Sequence, residues 1–377
     1  MAIYYVSQDS GNDANTGVQA QNSATPWKTL SHAFYTAGDT STGITYGNGI
    51  IINDSATYTV TNGTAGTDNT SNQIESTTGF LPREFIIKAG SDCSPILDGG
   101  HVADFAIETY NDWIIEGITF RKFGSTIGSH AAVKQSSSNK AATIRDCTIH
   151  SISGSGIDMR GEGTLIERCL IYDIANRGIY GLYQITIQNN IIYDCYSYGI
   201  YGGTLGSAAS NTVVQHNTVH NCPAAGSTHA SRQYAAFTEN AQFNIITDAS
   251  CTLSGLRAMG NHSYNCVSGS YDHNGSASPD NYYGGTKGTG DIELDPLFTS
   301  NSSHDFTLSP GSPCIGGANG STSKFDFVSG SRYWNYGQEV IGVNAGALPH
   351  DMGGYEYNHT SVCGVDTEKI NKVIGAT

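Results

Sequence analysis

Basic residues are scarce in this chain of 377 residues: Lys and Arg total 18 against 33 Asp and Glu, for a net charge of −15. Phosphate backbones demand concentrated Lys and Arg, so nucleic acid is excluded as a partner. Charge of either sign is low at 14 %, while 38 % of residues are hydrophobic. Disorder requires the opposite balance and is excluded too. No apolar run approaches the roughly 18 residues that a membrane-spanning helix needs, so no membrane partner is expected. The opening MAIYYVSQDSGNDANTG lacks a basic stretch followed by an apolar one. A secretory signal is therefore not expected, and virus assembly followed by lysis is one route out of a cytoplasm. The nine Cys include no CxxC pair. No metal site and no cofactor are expected, and the thiols are expected to be buried.

What is present is Gly, at 46 residues, and Tyr, at 22, with abundant Asn, Ser and Thr. That mixture suits short strands and tight turns rather than long amphipathic helices, and an all-β chain is expected. A repeat runs through the middle. IIEGITFRKF from Ile114, TIRDCTIHSI from Thr143, LIERCLIYDI from Leu165, TIQNNIIYDC from Thr186 and VVQHNTVHNC from Val213 align, followed by the segment at Ala241 and RAMGNHSYNC from Arg257. The second position reads Ile115, Ile144, Ile166, Ile187, Val214, Ala241, Ala258. Successive second positions lie 29, 22, 21, 27, 27 and 17 residues apart. A period of ~22 residues with insertions predicts a solenoid of three short strands per coil, like side chains stacking ~4.8 Å apart. The fifth position reads Ile118, Cys147, Cys169, Asn190, Asn217, Asn244, Asn261. Asn repeated at a corner predicts an amide ladder that satisfies buried turn backbone. Gly156, Gly178 and Gly199, each before an Ile, form a second turn ladder.

PWKTLSHAF, Pro26 to Phe34, predicts a short helix that plugs the open end of the solenoid. Together with YYVSQDSGNDANTG before it, this segment resembles the opening of the pectate-lyase-like right-handed parallel β-helix superfamily. Asp295 to Ala318 and DMGGYEY, Asp351 to Tyr357, resemble its closing segment. The expected organisation is an N-terminal cap over 1–49, coils over 50–290, closing coils and a cap over 291–357, and a tail over 358–377. The tail from Cys363 resembles the ends of some phage structural proteins. That resemblance implies a virion protein of tailspike or decoration type, at a virion surface beside other virion proteins, contacting host-surface polysaccharide as a homotrimer. Tailspikes usually place a particle-binding domain before the helix, for which this chain has no room. The superfamily also contains lyases, hydrolases and binders, so fold alone does not choose among them. A secreted polysaccharide lyase or glycoside hydrolase, and a decoration protein without ligand, stay open, as does whether the chain is an enzyme.

Several residues suit glycan chemistry. Tyr172, Tyr193 and Tyr264 share an outward position with His150 and His220, and Tyr180 shares another with Tyr201. Rows of aromatic faces can stack sugar rings, and equally can stack on themselves or fill an interface. Arg177 adjoins them. Asp158 falls in the Tyr180 and Tyr201 position, so Asp158 with Glu162 or Glu167 is the candidate pair of carboxylates for glycoside hydrolysis. Glu116, Arg145 and Glu167 read equally as a ladder of alternating charge. No Lys occurs between Lys140 and Lys287, which makes a lyase with a Lys base less expected than a hydrolase. His229 and Glu239 fall in a long insertion suited to a binding loop.

Overall fold

The structure is a computed structural model that describes residues 2–38, 48–62, 72–75, 84–109, 112–125, 130–135, 140–202, 212–222, 234–238, 240–247, 254–258, 261–268, 287–317, 361–362 and 365–366. His229 and Glu239 lie outside them, as do the DMGGYEY segment and most of the tail.

Each coil contributes one short strand to each of three parallel sheets. One full coil runs Leu165–Glu167 in sheet A, Leu170–Ile174 in sheet B and Ile179–Gly181 in sheet C, and Thr186–Gln188 then returns to sheet A. Among the described residues, sheets A, B and C hold ten, nine and eight strands. The aliphatic positions read from the repeat point inward and pair in register: Ile115, Ile144, Ile166, Ile187, Val214 and Ala241 in sheet A. Phe120, Ile149, Ile171, Ile192, Val219 and Ile246 do the same in sheet B. These side chains are almost wholly buried, each contributing about 1.5–3 kcal/mol if aliphatic and as large as Val or Ile.

The corner between sheets A and B is set by two residues. The first adopts a left-handed conformation: Gly117, Asp146, Arg168, Asn189, His216, Phe243, Tyr264 and Gly290 have φ between 52° and 74°. The second is the predicted ladder. Asn190 donates from its backbone and its amide to Asn217 Oδ1, Asn217 to Asn244, and Asn244 to Asn265. Each amide also donates to the same carbonyl one coil back, Ile166, Ile187, Val214 and Ala241. The Cys147 and Cys169 thiols occupy that place earlier in the stack, 3.8 Å from the Ile115 and Ile144 carbonyls.

The last coil is shifted from the expected frame. His262, not Ala258, pairs with Ala241, and Asn265, not Asn261, continues the ladder. The spacing is therefore 21 residues, and Arg257 and Ala258 belong to sheet C. The predicted helix also starts later, at Leu30, and runs to Gly38. Thr29 begins it because its hydroxyl accepts from His32 N, while Asp13 holds the Lys28 and Thr29 amides. Its Phe34 packs on Phe85 and Trp113, 5.7 and 5.5 Å between ring centroids, and so closes the end as expected. The strand Ile3–Val6 before it is already the first strand of sheet A. At the other end the chain leaves the coil. Phe298–Ser300 and Asp305–Leu308 form an antiparallel hairpin whose Phe298, Phe306 and Leu308 cover the outer face of sheet B at Ile191, Tyr193 and Ile245.

Candidate functional site

The outward side chains of the three sheets differ in kind. On sheet A they satisfy one another. Arg145 grips Glu116 at 2.7 and 2.9 Å, and Gln215 donates to Gln188, which donates to Glu167. Arg168 holds Glu167 at 2.8 Å and Asp146 at 2.7 Å. Glu167 is thus a ladder member with its oxygens engaged.

On sheet B the outward row is an aromatic stack. His150 lies 4.9 Å from Tyr172 and Tyr172 5.0 Å from Tyr193, each pair within 4° of parallel. Burial, helped by Arg121, lowers the His150 pKa. His304 stacks on Tyr193 at 4.4 Å and Phe306 leans on it, leaving Tyr193 only 9 % exposed. Tyr193 therefore offers no open face to a sugar, while His150 and Tyr172 remain partly exposed. Tyr264 is not in this row. Ser268 occupies its place, and Tyr264 stacks on Phe243 at the A–B corner. Beside the row runs an open groove of about 700 Å³, lined among others by Lys122, Ser151, Asp173, Asp194, Tyr196 and Asn221.

Sheet C carries the most distinctive constellation. Its strands Ile107–Thr109, Ala131–Gln135, Ser155–Met159, Ile179–Gly181 and Ile200–Gly202 turn Ile107, Val133, Ile157, Ile179 and Ile200 inward. The next residue of each faces out, so Glu108, Lys134, Asp158, Tyr180 and Tyr201 form one row across five coils. Lys134 Nζ meets Glu108 at 3.1 Å. Arg160 reaches Asp158 through two contacts of 3.4 Å. Asp158 is only 7 % exposed. Burial raises its pKa above the ordinary carboxylate value, against the opposing pull of Arg160, Lys134 and Arg177. The Arg177 guanidinium lies over the Tyr180 ring at 4.3 Å and reaches Tyr201 at 5.1 Å. Tyr198 meets Tyr201 edge-on at 5.1 Å.

The repeat had placed Asp158, Tyr180 and Tyr201 in one row, and they are. The expected carboxylate pairing is corrected. After Met159 the chain turns the corner from sheet C to sheet A, leaving Glu162 in an exposed turn and Glu167 on another face. Among the described side chains, a second carboxylate on the Asp158 face is Glu108, two strands away with Lys134 between. Both were missed in the sequence. The alternation in AIET and AAVKQ was their only signal, and unequal insertions detach those segments from the repeat. A carboxyl biased towards its protonated form on the same face as an ion-paired carboxylate is a pairing that general acid–base chemistry can use. Among the described residues no group of three or more His, Cys, Asp or Glu is placed to hold a metal.

Residues 105–269 match the family model for a right handed beta helix region. Pectate lyase Pel9A superposes with a TM-score of 0.51 over 94 % of this chain and 96 % of that chain, at 15 % identity. The GH136 lacto-N-biosidase from Eubacterium ramulus gives 0.50 over 71 % of this chain, at 14 % identity, and the match spans 56 % of that enzyme's chain. The ORF18 protein of Geobacillus virus E2 is more distant, with a TM-score of 0.38 and 13 % identity over 65 % of this chain and 54 % of that one. No curated protein sequence matches. The chain folds as a right-handed parallel β-helix, a fold similar to that of pectate lyase Pel9A. At these identities the likeness establishes the fold alone.

Proposed function

We propose that this protein binds an extended host-surface polysaccharide along the outer face of sheet C, with Tyr201 as an aromatic contact and Asp158 as the acid group. The observation that carries the reading is the buried Asp158 carboxyl held in one row with Lys134, Tyr180 and Tyr201. Keeping a carboxyl in such a place costs stability, and that is the usual mark of a functional group. The other two faces support the choice by contrast, sheet A being closed by its own ladder and sheet B being partly covered by a hairpin. Cleavage on this face is a hydrolysis in which Asp158 gives its proton to the departing glycosidic oxygen while a water adds to the anomeric carbon and releases its proton to Glu108. Asp158→Asn and Tyr201→Ala test the site, the first by loss of released reducing ends, the second by loss of glycan retention.

Display of the chain as a homotrimer at a virion surface, beside other virion proteins, belongs to the same proposal and draws on the likeness of the tail to phage structural proteins. Immunogold labelling of phage particles and sedimentation of the isolated protein test it. Labelled virions and a trimer are expected; a monomer away from particles would remove that part and leave the glycan site standing. A second position for the glycan is favoured by the groove beside His150 and Tyr172. Tyr172→Ala distinguishes it from sheet C.

A further inference from the structure

Cations are few in this chain, and among the arginines whose side chains are described all but one are matched to carboxylates. Of the five whose side chains are described, Arg121 meets Asp98, Arg145 meets Glu116, Arg160 meets Asp158, and Arg168 meets Asp146 and Glu167. Arg177 meets no carboxylate among the described residues. Its Nε is buried without a hydrogen-bond partner among them, and its plane is held over Tyr180 and near Tyr201. Its nearby carboxyl, Asp158, is engaged by Arg160, and a half-buried guanidinium without a direct ion pair has lost hydration with no ionic bond in exchange, an arrangement that costs stability unless a ligand completes it. Lys134 and Arg160 stand on the same face but are paired with Glu108 and Asp158, so among the described residues the unmatched positive charge there is that of Arg177.

We propose that Arg177 is the anchor for an oxyanion carried by the glycan, a carboxylate or a sulfate ester, so that the ligand is an acidic polysaccharide. The inference rests on the sheet C reading and narrows its ligand. The planar fork of Arg177 matches two oxygens of a carboxylate or sulfate, and Tyr180 fixes the plane of the fork before the ligand arrives. Asp158, already engaged by Arg160, is not free to take the place of the anion. A neutral glycan would leave Arg177 without its counter-charge.

The test follows the Arg177 side-chain Nε–H resonance, identified by its disappearance in Arg177→Lys, during titration at constant ionic strength. The probes are sodium glucuronate, glucose 6-sulfate and glucose. A shift with glucuronate, the sulfate or both, and none with glucose, is expected, and the responding probe separates the two oxyanions. Equal response to glucose and the anions, or response to none, overturns the inference. In parallel, Arg177→Gln should weaken retention in gels of acidic polysaccharide by about tenfold. Its circular dichroism and its mobility in neutral dextran should be unchanged. Retention by neutral polymer that depends on Tyr201 but not on Arg177 would leave the glycan reading intact and refute the acidic ligand. An Arg177 response to the anions with no polymer retained would refute the glycan reading instead.

Discussion

Asp158 and Tyr180 are paired across neighbouring strands of sheet C, both pointing away from the core, yet the carboxyl of Asp158 is nearly excluded from water. Because its folded pKa is raised by burial, folding favours the protonated form. The group is tolerated fully below the unfolded pKa of ~3.9. It becomes a liability as pH rises through the higher folded value, where the native state must carry a buried charge. Asp158→Asn is therefore expected to match the parent at low pH and to equal or exceed its stability at neutral pH. Urea titrations of both proteins across that range check this. Lower stability of the variant at pH 7 would make Asp158 structural.

Asn217 receives two bonds from Asn190 and donates to the Ile187 and Gln215 carbonyls and to Asn244. Asn217→Ala strands several of those groups in the interior, and a loss of about 3–5 kcal/mol is expected. Gln215→Ala, two residues earlier on the outer ladder, removes a bond that water can replace and should cost less than ~1 kcal/mol. Denaturant midpoints for the two variants give the comparison.

Asp291 ends the Asn ladder. Its carboxylate accepts from Asn265 N at 2.6 Å and Nδ2 at 3.1 Å, from Gly288 N at 2.7 Å, and lies 2.6 Å from His262 Nδ1. Asp291→Ala leaves these donors unmatched at the last coil and is expected to cost about 3 kcal/mol. Hydrogen exchange should show the loss concentrated in residues 261–268, because a solenoid opens from the damaged end. Uniformly increased exchange throughout the coils would contradict that local account.

Gly290 has φ +74°, and a Cβ there would lie 2.3 Å from the Tyr264 ring. Gly100 has φ +57° with open space around it. Gly290→Ala should therefore destabilise by more than ~2 kcal/mol, combining backbone strain with displacement of the ring. Gly100→Ala bears the strain alone, at about 1 kcal/mol. Thermal melts of the pair test the difference.

The coils were legible in the sequence where insertions were short. Ile144, Ile166 and Ile187 recur at nearly constant spacing, and the Asn ladder announced the buried corner. The last coil misled because Asn261 and Asn265 both offer an Asn four residues apart. The apolar inward position separates them, Val267 fitting and Ser263 not. Sheet C was half legible. Asp158, Tyr180 and Tyr201 follow consecutive compact coils, whereas Glu108 and Lys134 precede them across longer insertions. The hairpin over Tyr193 was hidden for another reason. It is a long-range contact whose local trace is an unusual pair of outward aliphatics, Ile191 and Ile245, which the repeat reading passed over.

The most direct measurement is affinity electrophoresis of the parent protein, Tyr201→Ala and Tyr172→Ala through gels cast with a panel of acidic and neutral polysaccharides. Glycan binding on sheet C predicts retardation of the parent by at least one polymer, kept in Tyr172→Ala and lost in Tyr201→Ala. Unretarded migration in every gel, or retardation that ignores Tyr201→Ala, would contradict it.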